Sequence, residues 1–132
     1  MFQASIRRVI ATVGTMLLVG GGVVAVSASP AAALSVCKEN INTARFWATQ
    51  SLNHDLNNQT AAAAQDDTMA GQAITLATTS CAAYSTVLFR LTIAQLDDDS
   101  AFAENALGNA SGAAVWERAE LQQLLLAYNA AP

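Results

Sequence analysis

The chain has few of the residues that interrupt helices or build strands. Its two prolines stand at positions 30 and 132, with none between them, and alanine, the best helix former, is abundant. No alternating run of Val, Ile or Thr bounded by turn residues predicts a strand. These absences favour an all-α fold.

Basic residues are scarce and unevenly placed. Arg7 and Arg8 precede an uncharged apolar run over residues 9–26, and three alanines follow at 31–33. A basic head, an apolar middle and a small-residue end are typical of a secretory signal peptide. We predict cleavage of residues 1–33 after Ala33, and one exported domain over residues 34–132. The alternative is that residues 9–26 remain as a membrane anchor, since their number is near the lower limit for a span.

Acidic residues dominate the predicted domain. Residues 34–132 carry four basic and ten acidic side chains, so the net charge is 4 − 10 = −6 with His54 neutral. A domain this acidic repels a phosphate backbone, and we therefore predict no nucleic-acid partner. No cofactor is predicted either.

Only two cysteines are present, Cys37 and Cys81, and both lie in the predicted domain. Export places them in an oxidising compartment, where two thiols usually pair. A structural zinc site needs four ligands, and two cysteines with one histidine do not supply them. We predict a disulfide between Cys37 and Cys81.

Apolar and small residues at heptad spacing predict two long helices. The first helix is predicted over residues 35–57, and its seam steps by 4, 3, 4, 3, 4 through Cys37, Ile41, Ala44, Ala48, Ser51 and Asp55. A polar break follows at 57–60, with Thr60 as the N-cap. The second helix is predicted over residues 60–97, with a seam through Ala70, Ile74, Ala77, Cys81, Tyr84, Leu88 and Leu91.

The two cysteines test this arrangement. Cys37 lies 22 residues before Gln59 and Cys81 lies 22 residues after it. If the chain folds back at Gln59, the two residues fall at the same height of an antiparallel hairpin. Because both also belong to the seams, their side chains face the contact.

The C-terminal part predicts shorter helices. Residues 97–100 are predicted to separate the second helix from the next, because acids suit a helix N-terminus. Residues 108–112 form a second break, with Ser111 as a cap, before a last helix over 113–127. Its apolar residues fall on two faces: Ala114, Leu121, Leu125 and Tyr128, and Val115, Ala119 and Leu126. Two faces indicate a contact with another subunit or a central place in the bundle.

The predicted fold is thus a small antiparallel bundle of three to four helices, with one disulfide closing a helical hairpin. Residues 68–89 carry no charge, and as one helix they would span about 33 Å, close to the thickness of a bilayer. An uncharged polar stripe opposite the seam ends in one cation: Thr68, Gln72, Thr75, Thr79, Thr86 and Arg90. In a monomer the stripe is a solvated face. In a ring of subunits it would line a pore, where Arg90 would favour anions.

Side chains that suggest catalysis or metal binding form no complete motif. His54 and Asp55 resemble the catalytic pair of small secreted phospholipases A2, but no glycine-rich calcium loop precedes them. Two acidic groups are candidates for calcium: residues 66–67 beside His54, and residues 97–99 with Glu104. Neither has the glycine-punctuated spacing of a dedicated loop, and we expect solvated acids, no metal site and no enzymatic activity.

A predicted signal peptide, an acidic helical domain and the pair Cys37 and Cys81 together resemble the PorB-type porins of the corynebacterial outer, mycolic-acid membrane. The resemblance covers residues 34–132 and implies an oligomeric, anion-preferring channel in the cell envelope, with lipid contact and small anions or solutes as partners. The alternative is a soluble secreted helical module that binds a partner without catalysis.

Overall fold

The structure, a computed structural model, describes residues 18–19, 22–23 and 30–132. Two short strands, β1 (Leu18–Val19) and β2 (Gly22–Val23), pair in antiparallel fashion. Four helices follow: α1 (Pro30–Leu56), α2 (Thr60–Ser80), α3 (Ser85–Ala106) and α4 (Ala110–Ala130). Most of the predicted signal peptide lies outside the described residues. The predicted all-α bundle is confirmed, with four helices.

Short connections set the arrangement of the helices. Three residues join α1 to α2, four join α2 to α3 and three join α3 to α4. Such short connections make neighbouring helices antiparallel. The main contacts form a closed ring, because α1 and α3 each pack against both α2 and α4.

The predicted disulfide is confirmed. Cys37 on α1 and Cys81 at the end of α2 are bonded, with their Cα atoms 5.0 Å apart, and both side chains are fully buried. The hairpin turns at residues 57–59, where Asn58 has a positive φ of 57°. The two thiols meet because the cysteines lie at the same height of the hairpin and both side chains face the contact between α1 and α2.

The second predicted helix is wrong in length. The structure ends α2 at Ser80 and starts α3 at Ser85, so residues 60–97 form parts of two helices. Helices of about 21 residues match the height of the bundle, and the turn at 81–84 lets Val87 and Leu91 fold back into the core. The heptad spacing continues across this turn, which is why the sequence reads as one helix.

Two other predicted boundaries are also wrong. Residues 97–100 lie inside α3 and do not end a helix. The last helix begins at Ala110, and its cap is Asn109, whose side chain accepts a hydrogen bond from the Gly112 N–H. Ser111 is therefore not the cap. Similarly, the N-cap position of α2 is Gln59, one residue before the predicted Thr60.

The two predicted faces of the last helix differ in burial. On the first face Ala114 is buried, Leu121 and Tyr128 pack against the core and Leu125 is exposed, whereas Val115 and Leu126 of the second face are exposed. The buried side of α4 steps instead through Ala113, Glu117, Glu120, Leu124 and Ala127. This row combines small residues with two glutamates that point into the bundle.

The apolar core occupies one end of the bundle. We call this the disulfide end; it contains the Cys37–Cys81 bond and the 81–84 connection. Its largest fully buried side chains are Ile41, Ile74, Leu91 and Leu124, and alanines fill most of the remaining core positions. Alanine-rich seams let the helices approach closely.

Candidate functional site

The opposite end of the bundle buries polar side chains. We call it the acidic end; it contains the 57–59 and 107–109 connections. Each helix contributes from the half that reaches this end, and the buried polar residues are Ser51, Asp55, Asp67, Asp97, Asp98, Asn105, Glu117 and Glu120. Six of these eight residues are acids, which are almost never fully buried unless they are paired.

The α1–α2 hairpin supplies three of these side chains. The Ser51 hydroxyl donates to Asp67 Oδ1 and lies 3.2 Å from the carbonyl oxygen of Ala63. Asp55 lies one turn beyond Ser51 on the same seam, with one side-chain oxygen left without a hydrogen-bond partner. The hairpin therefore places two carboxyl groups inside the bundle.

Asn105 of α3 joins the two hairpins. Its Nδ2 donates to Asp67 Oδ2 at 2.9 Å and to Asp55 Oδ2 at 3.4 Å. Its own Oδ1 is buried and has no partner. Asn105 is thus the only described amide that bridges α1, α2 and α3 at this end.

Asp98 of α3 approaches α2 closely at Gly71. A Cβ atom at position 71 would lie 2.7 Å from Asp98 Oδ2, so the missing side chain makes room for the carboxyl group. Gln95 donates to that same oxygen at 3.3 Å, and Asp98 Oδ1 has no partner. Asp97 is also largely buried.

Glu117 and Glu120 complete the cluster from α4. Both are 0% exposed, and the one described donor near their four carboxyl oxygens is the Ser51 hydroxyl, which already donates to Asp67. Glu117 is in side-chain contact with Asp67, and the carboxyl groups of Glu117 and Glu120 also contact each other. A contact between two carboxyl groups becomes a hydrogen bond only when one of them carries a proton.

No cation of the described residues offsets these acids. Among the described residues the single ion-pair geometry joins His54 Nδ1 to Asp66 Oδ2 at 2.8 Å, outside the cluster. Arg118, between the two glutamates in sequence, turns outward and donates to the Ala114 carbonyl. Burying an unpaired charge costs more free energy than neutralising it, so the interior favours protonated acids.

The pKa values follow the same physics. Burial, the carboxyl contact with Asp67 and the charge of Glu120 raise the pKa of Glu117 far above its ordinary value. Burial and the charges of Asp98 and Asp67 do the same to the pKa of Glu120. Burial, with nearby negative charge, raises the pKa of Asp98 to about 8.

The pKa values of Asp55 and Asp97 are also raised, but by less than the pKa values of the two glutamates. Burial raises the pKa of Asp55 to about 6, although the hydrogen bond from Asn105 opposes the shift. Burial also raises the pKa of Asp97. The cluster can therefore hold protons at a pH where exposed acids have lost theirs.

A ready metal site is absent from the part of the chain that the structure describes: no three Asp, Glu, His or Cys side chains are placed to ligate one ion. The two acidic groups considered for calcium are each divided. Asp67 and Asp98 point inward, whereas Asp66 pairs with His54, Asp99 accepts from Gln95 at the surface, and Glu104 accepts from Asn109.

His54 and Asp55 do not form a catalytic pair with each other. The Asp55 carboxyl turns inward to Asn105, and His54 pairs with Asp66. Tyr84 is partly buried against the apolar core, which agrees with the core position predicted for it.

The uncharged polar stripe lies on two helices. Its exposed members on α2 are Thr68, Gln72, Thr75 and Thr79, and the three threonine hydroxyls each donate to the carbonyl four residues earlier. Thr86 is exposed in the first turn of α3. Arg90 is partly buried, and its Nη1 donates to Gln123 Oε1 of α4 at 3.2 Å. The structure thus separates Arg90 from the α2 part of the stripe.

Sequence reasoning missed Asn105, Glu117 and Glu120 as interior residues. The spacing of α4 contains the necessary information, because Ala113, Glu117, Glu120, Leu124 and Ala127 step by 4, 3, 4, 3. In α3, Leu91, Ala94, Asp98, Ala101 and Asn105 step by 3, 4, 3, 4. A search for seams that allows polar residues would have found both rows.

Comparisons with protein-family models, curated proteins and solved structures gave no match. Within the described ranges, none of the helices has the combined length and apolar character that a membrane crossing requires.

Proposed function

We propose that the protein is a non-enzymatic component of the cell envelope whose copies assemble into a channel for small solutes, with a preference for anions. The observation that carries the proposal is the outward position of the large apolar side chains. The phenylalanines of the described part, Phe46, Phe89 and Phe102, are 54%, 60% and 45% exposed. Alanines take most of the buried apolar positions instead.

Exposed apolar side chains occur on all four helices. Besides the phenylalanines they include Leu56, Leu76, Leu96, Leu107, Val115, Trp116, Leu125 and Leu126. Full burial of one such side chain stabilises by about 1.5–3 kcal/mol, and monomers rarely leave large apolar patches uncovered. A subunit in a ring contacts neighbours on two sides, which suits apolar side chains on several helices.

The α2 surface supports the choice of a water-filled path. Thr68, Gln72, Thr75 and Thr79 are exposed along it, and hydroxyl and amide groups suit the lining of a pore. Arg90 makes no ion pair among the described residues, and its charge therefore remains available to attract anions. The exposed polar side chains are the reason to prefer α2 as the inward side of the ring, with Arg90 beside Gln123 at the contact between α3 and α4.

The experiment uses the exported protein, purified with its disulfide formed. Light scattering measures its mass in solution and in mild detergent, and a planar lipid bilayer measures its conductance. We expect an oligomer, discrete conductance steps and a reversal potential that indicates anion preference. Replacing Arg90 with glutamine keeps a donor for Gln123 and should remove that preference.

A matched pair of variants tests the apolar contacts. Phe89→Ser combined with Leu96→Ser removes two exposed side chains from α3, and we expect monomers and no conductance. Thr92→Ser on the same exposed side of α3 is the control and should leave both unchanged. A monomer that leaves the bilayer silent would instead favour the secreted binding module.

A further inference from the structure

The acidic end contains more carboxyl oxygens than hydrogen-bond donors that could pair with them. Asp67 accepts from Ser51 and Asn105, and the four oxygens of Glu117 and Glu120 have only the shared Ser51 hydroxyl near them. Ionised, these two groups would be adjacent negative charges with almost no hydrogen bonds, and neither side chain is exposed to solvent. A proton on either glutamate removes one charge and supplies a donor to the neighbouring carboxyl group.

Every element packed around the two glutamates adds negative charge or neutral donors. α1 contributes Asp55 and the Ser51 hydroxyl, α2 contributes Asp67, and α3 contributes Asp97, Asp98 and the Asn105 amide. At the surface nearby lie the His54–Asp66 pair, Asp99, Glu104 and the outward-turned Arg118. No described lysine or arginine reaches the interior of this end.

The connections of the bundle decide where it can open. At the acidic end, the 57–59 connection joins α1 to α2 and the 107–109 connection joins α3 to α4. The backbone joins the α1–α2 hairpin to the α3–α4 hairpin at the disulfide end alone, through the 81–84 connection. Across the acidic end they are linked by side-chain contacts, chiefly the hydrogen bonds from Asn105 to Asp55 and Asp67.

We propose that Glu117 and Glu120 are neutral acids in the closed bundle, and that their ionisation at rising pH separates the two hairpins at the acidic end while the disulfide end stays closed. The ligand of this device is the proton. The hinge is the 81–84 connection, and the disulfide keeps α1 attached to the end of α2. This inference does not depend on channel formation, because it concerns the interior of one subunit.

The direction of the pH effect follows from linkage. A glutamate whose pKa is raised in the folded state contributes stability that is fully present below its unfolded value of 4.5 and is lost as pH rises. Asp55 and Asp98 act in the same direction, with folded pKa values of about 6 and about 8. The protein should therefore lose stability from weakly acid to weakly alkaline pH, the opposite of acid unfolding.

The test follows thermal unfolding of the exported, disulfide-bonded protein over this range. We expect the Tm to fall by at least about 10 °C between about pH 5 and about pH 8. Amide exchange protection should fall at the acidic end, in residues 51–67 and 98–117, and persist around Ile41 and Ile74. A Tm that rises with pH, or equal loss of protection at both ends, would overturn the proposal.

Variants identify the groups. Glu117→Gln with Glu120→Gln removes both acids at nearly constant shape, and it should flatten the fall in Tm. Glu39→Gln, at an exposed acid of the disulfide end, is the control and should keep the fall. If the double variant does not fold, Glu120→Gln alone should still reduce the slope, and an unchanged slope would count against the proposal. Full recovery of the Tm at about pH 8 by added Ca²⁺ or Mn²⁺ would also overturn it, since a metal would then be the ligand.

Discussion

The two ends of the bundle are built on the same four seams but bury different chemistry. At the disulfide end the seam positions hold Ile41, Ile74, Leu91 and Leu124, and a covalent bond joins α1 to α2. At the acidic end, equivalent positions hold carboxyl groups, and hydrogen bonds from Asn105 connect the hairpins. The difference shows that a heptad seam specifies which residues face inward without specifying that they are apolar.

This contrast has an energetic meaning. Apolar burial at the disulfide end stabilises the bundle at any pH, whereas burial of acids at the other end stabilises only while the acids stay neutral. The stability of the disulfide end is therefore expected to be independent of pH, whereas the stability of the acidic end is expected to depend on pH.

The largest expected effect comes from removing the covalent link. Cys37→Ala with Cys81→Ala opens a loop whose ends are 44 residues apart, and we expect the free energy of unfolding to fall by about 4 kcal/mol. Urea denaturation measures this loss. The pH dependence should remain, since the acids are untouched; a loss below about 1 kcal/mol would mean that the bond does not support this end.

Truncating the apolar core should come next. Leu124 is fully buried on α4, one turn after Glu120, and Leu124→Ala should cost about 3 kcal/mol. The neighbouring Leu125 is 43% exposed, so Leu125→Ala should cost less than about 1 kcal/mol in the same urea experiment. Equal costs would contradict the assignment of the inward face of α4.

Asn105 tests the polar link between the hairpins. Asn105→Ala removes the donor to Asp67 and Asp55, and we expect a loss of about 2 kcal/mol in urea denaturation. Asn129→Ala, an exposed asparagine on α4, should have little effect. If Asn105→Ala were neutral, the acidic end would not depend on this amide.

The smallest effect concerns the start of α4. Asn109→Ala removes the cap that accepts from Gly112 N–H and should cost about 1 kcal/mol, as measured by thermal or urea unfolding. Ser111→Ala should cost less, because Ser111 only donates to the Asn109 side chain. If Ser111→Ala cost more than Asn109→Ala, Ser111 would be the cap, as the sequence predicts.

The fold was largely predictable, because the spacing of residues along the sequence indicated the helices and how the first two pair. The row from Cys37 to Asp55 defined the inward face of α1, and the equal distances from Gln59 to the two cysteines defined the hairpin and its disulfide. The end of α2 was not predictable in the same way. Residues 81–84 contain no glycine or proline, so the turn depends on the height of the bundle and the return of Leu91 to the core.

The acidic end was only partly predictable. The seam of α1 predicts inward positions for Ser51 and Asp55, whereas the predicted seam of the second helix does not include Asp67. Glu117 and Glu120 belong to neither predicted face of the last helix, because those faces follow its hydrophobic residues. Their burial depends on contacts with carboxyl groups from other helices, which no local pattern reveals.

The most direct measurement is a titration of the side-chain carboxyl carbons by NMR, on the ¹³C-labelled, disulfide-bonded protein. We predict that the carboxyl carbons of Glu117 and Glu120 keep the chemical shift of the neutral acid at pH values well above 4.5, the ordinary pKa of a glutamate, because both side chains are buried among other acids. If Glu117 and Glu120 lost their protons at a pH near 4.5 while the bundle stayed closed, this would contradict the proposal that protonated glutamates keep the acidic end closed.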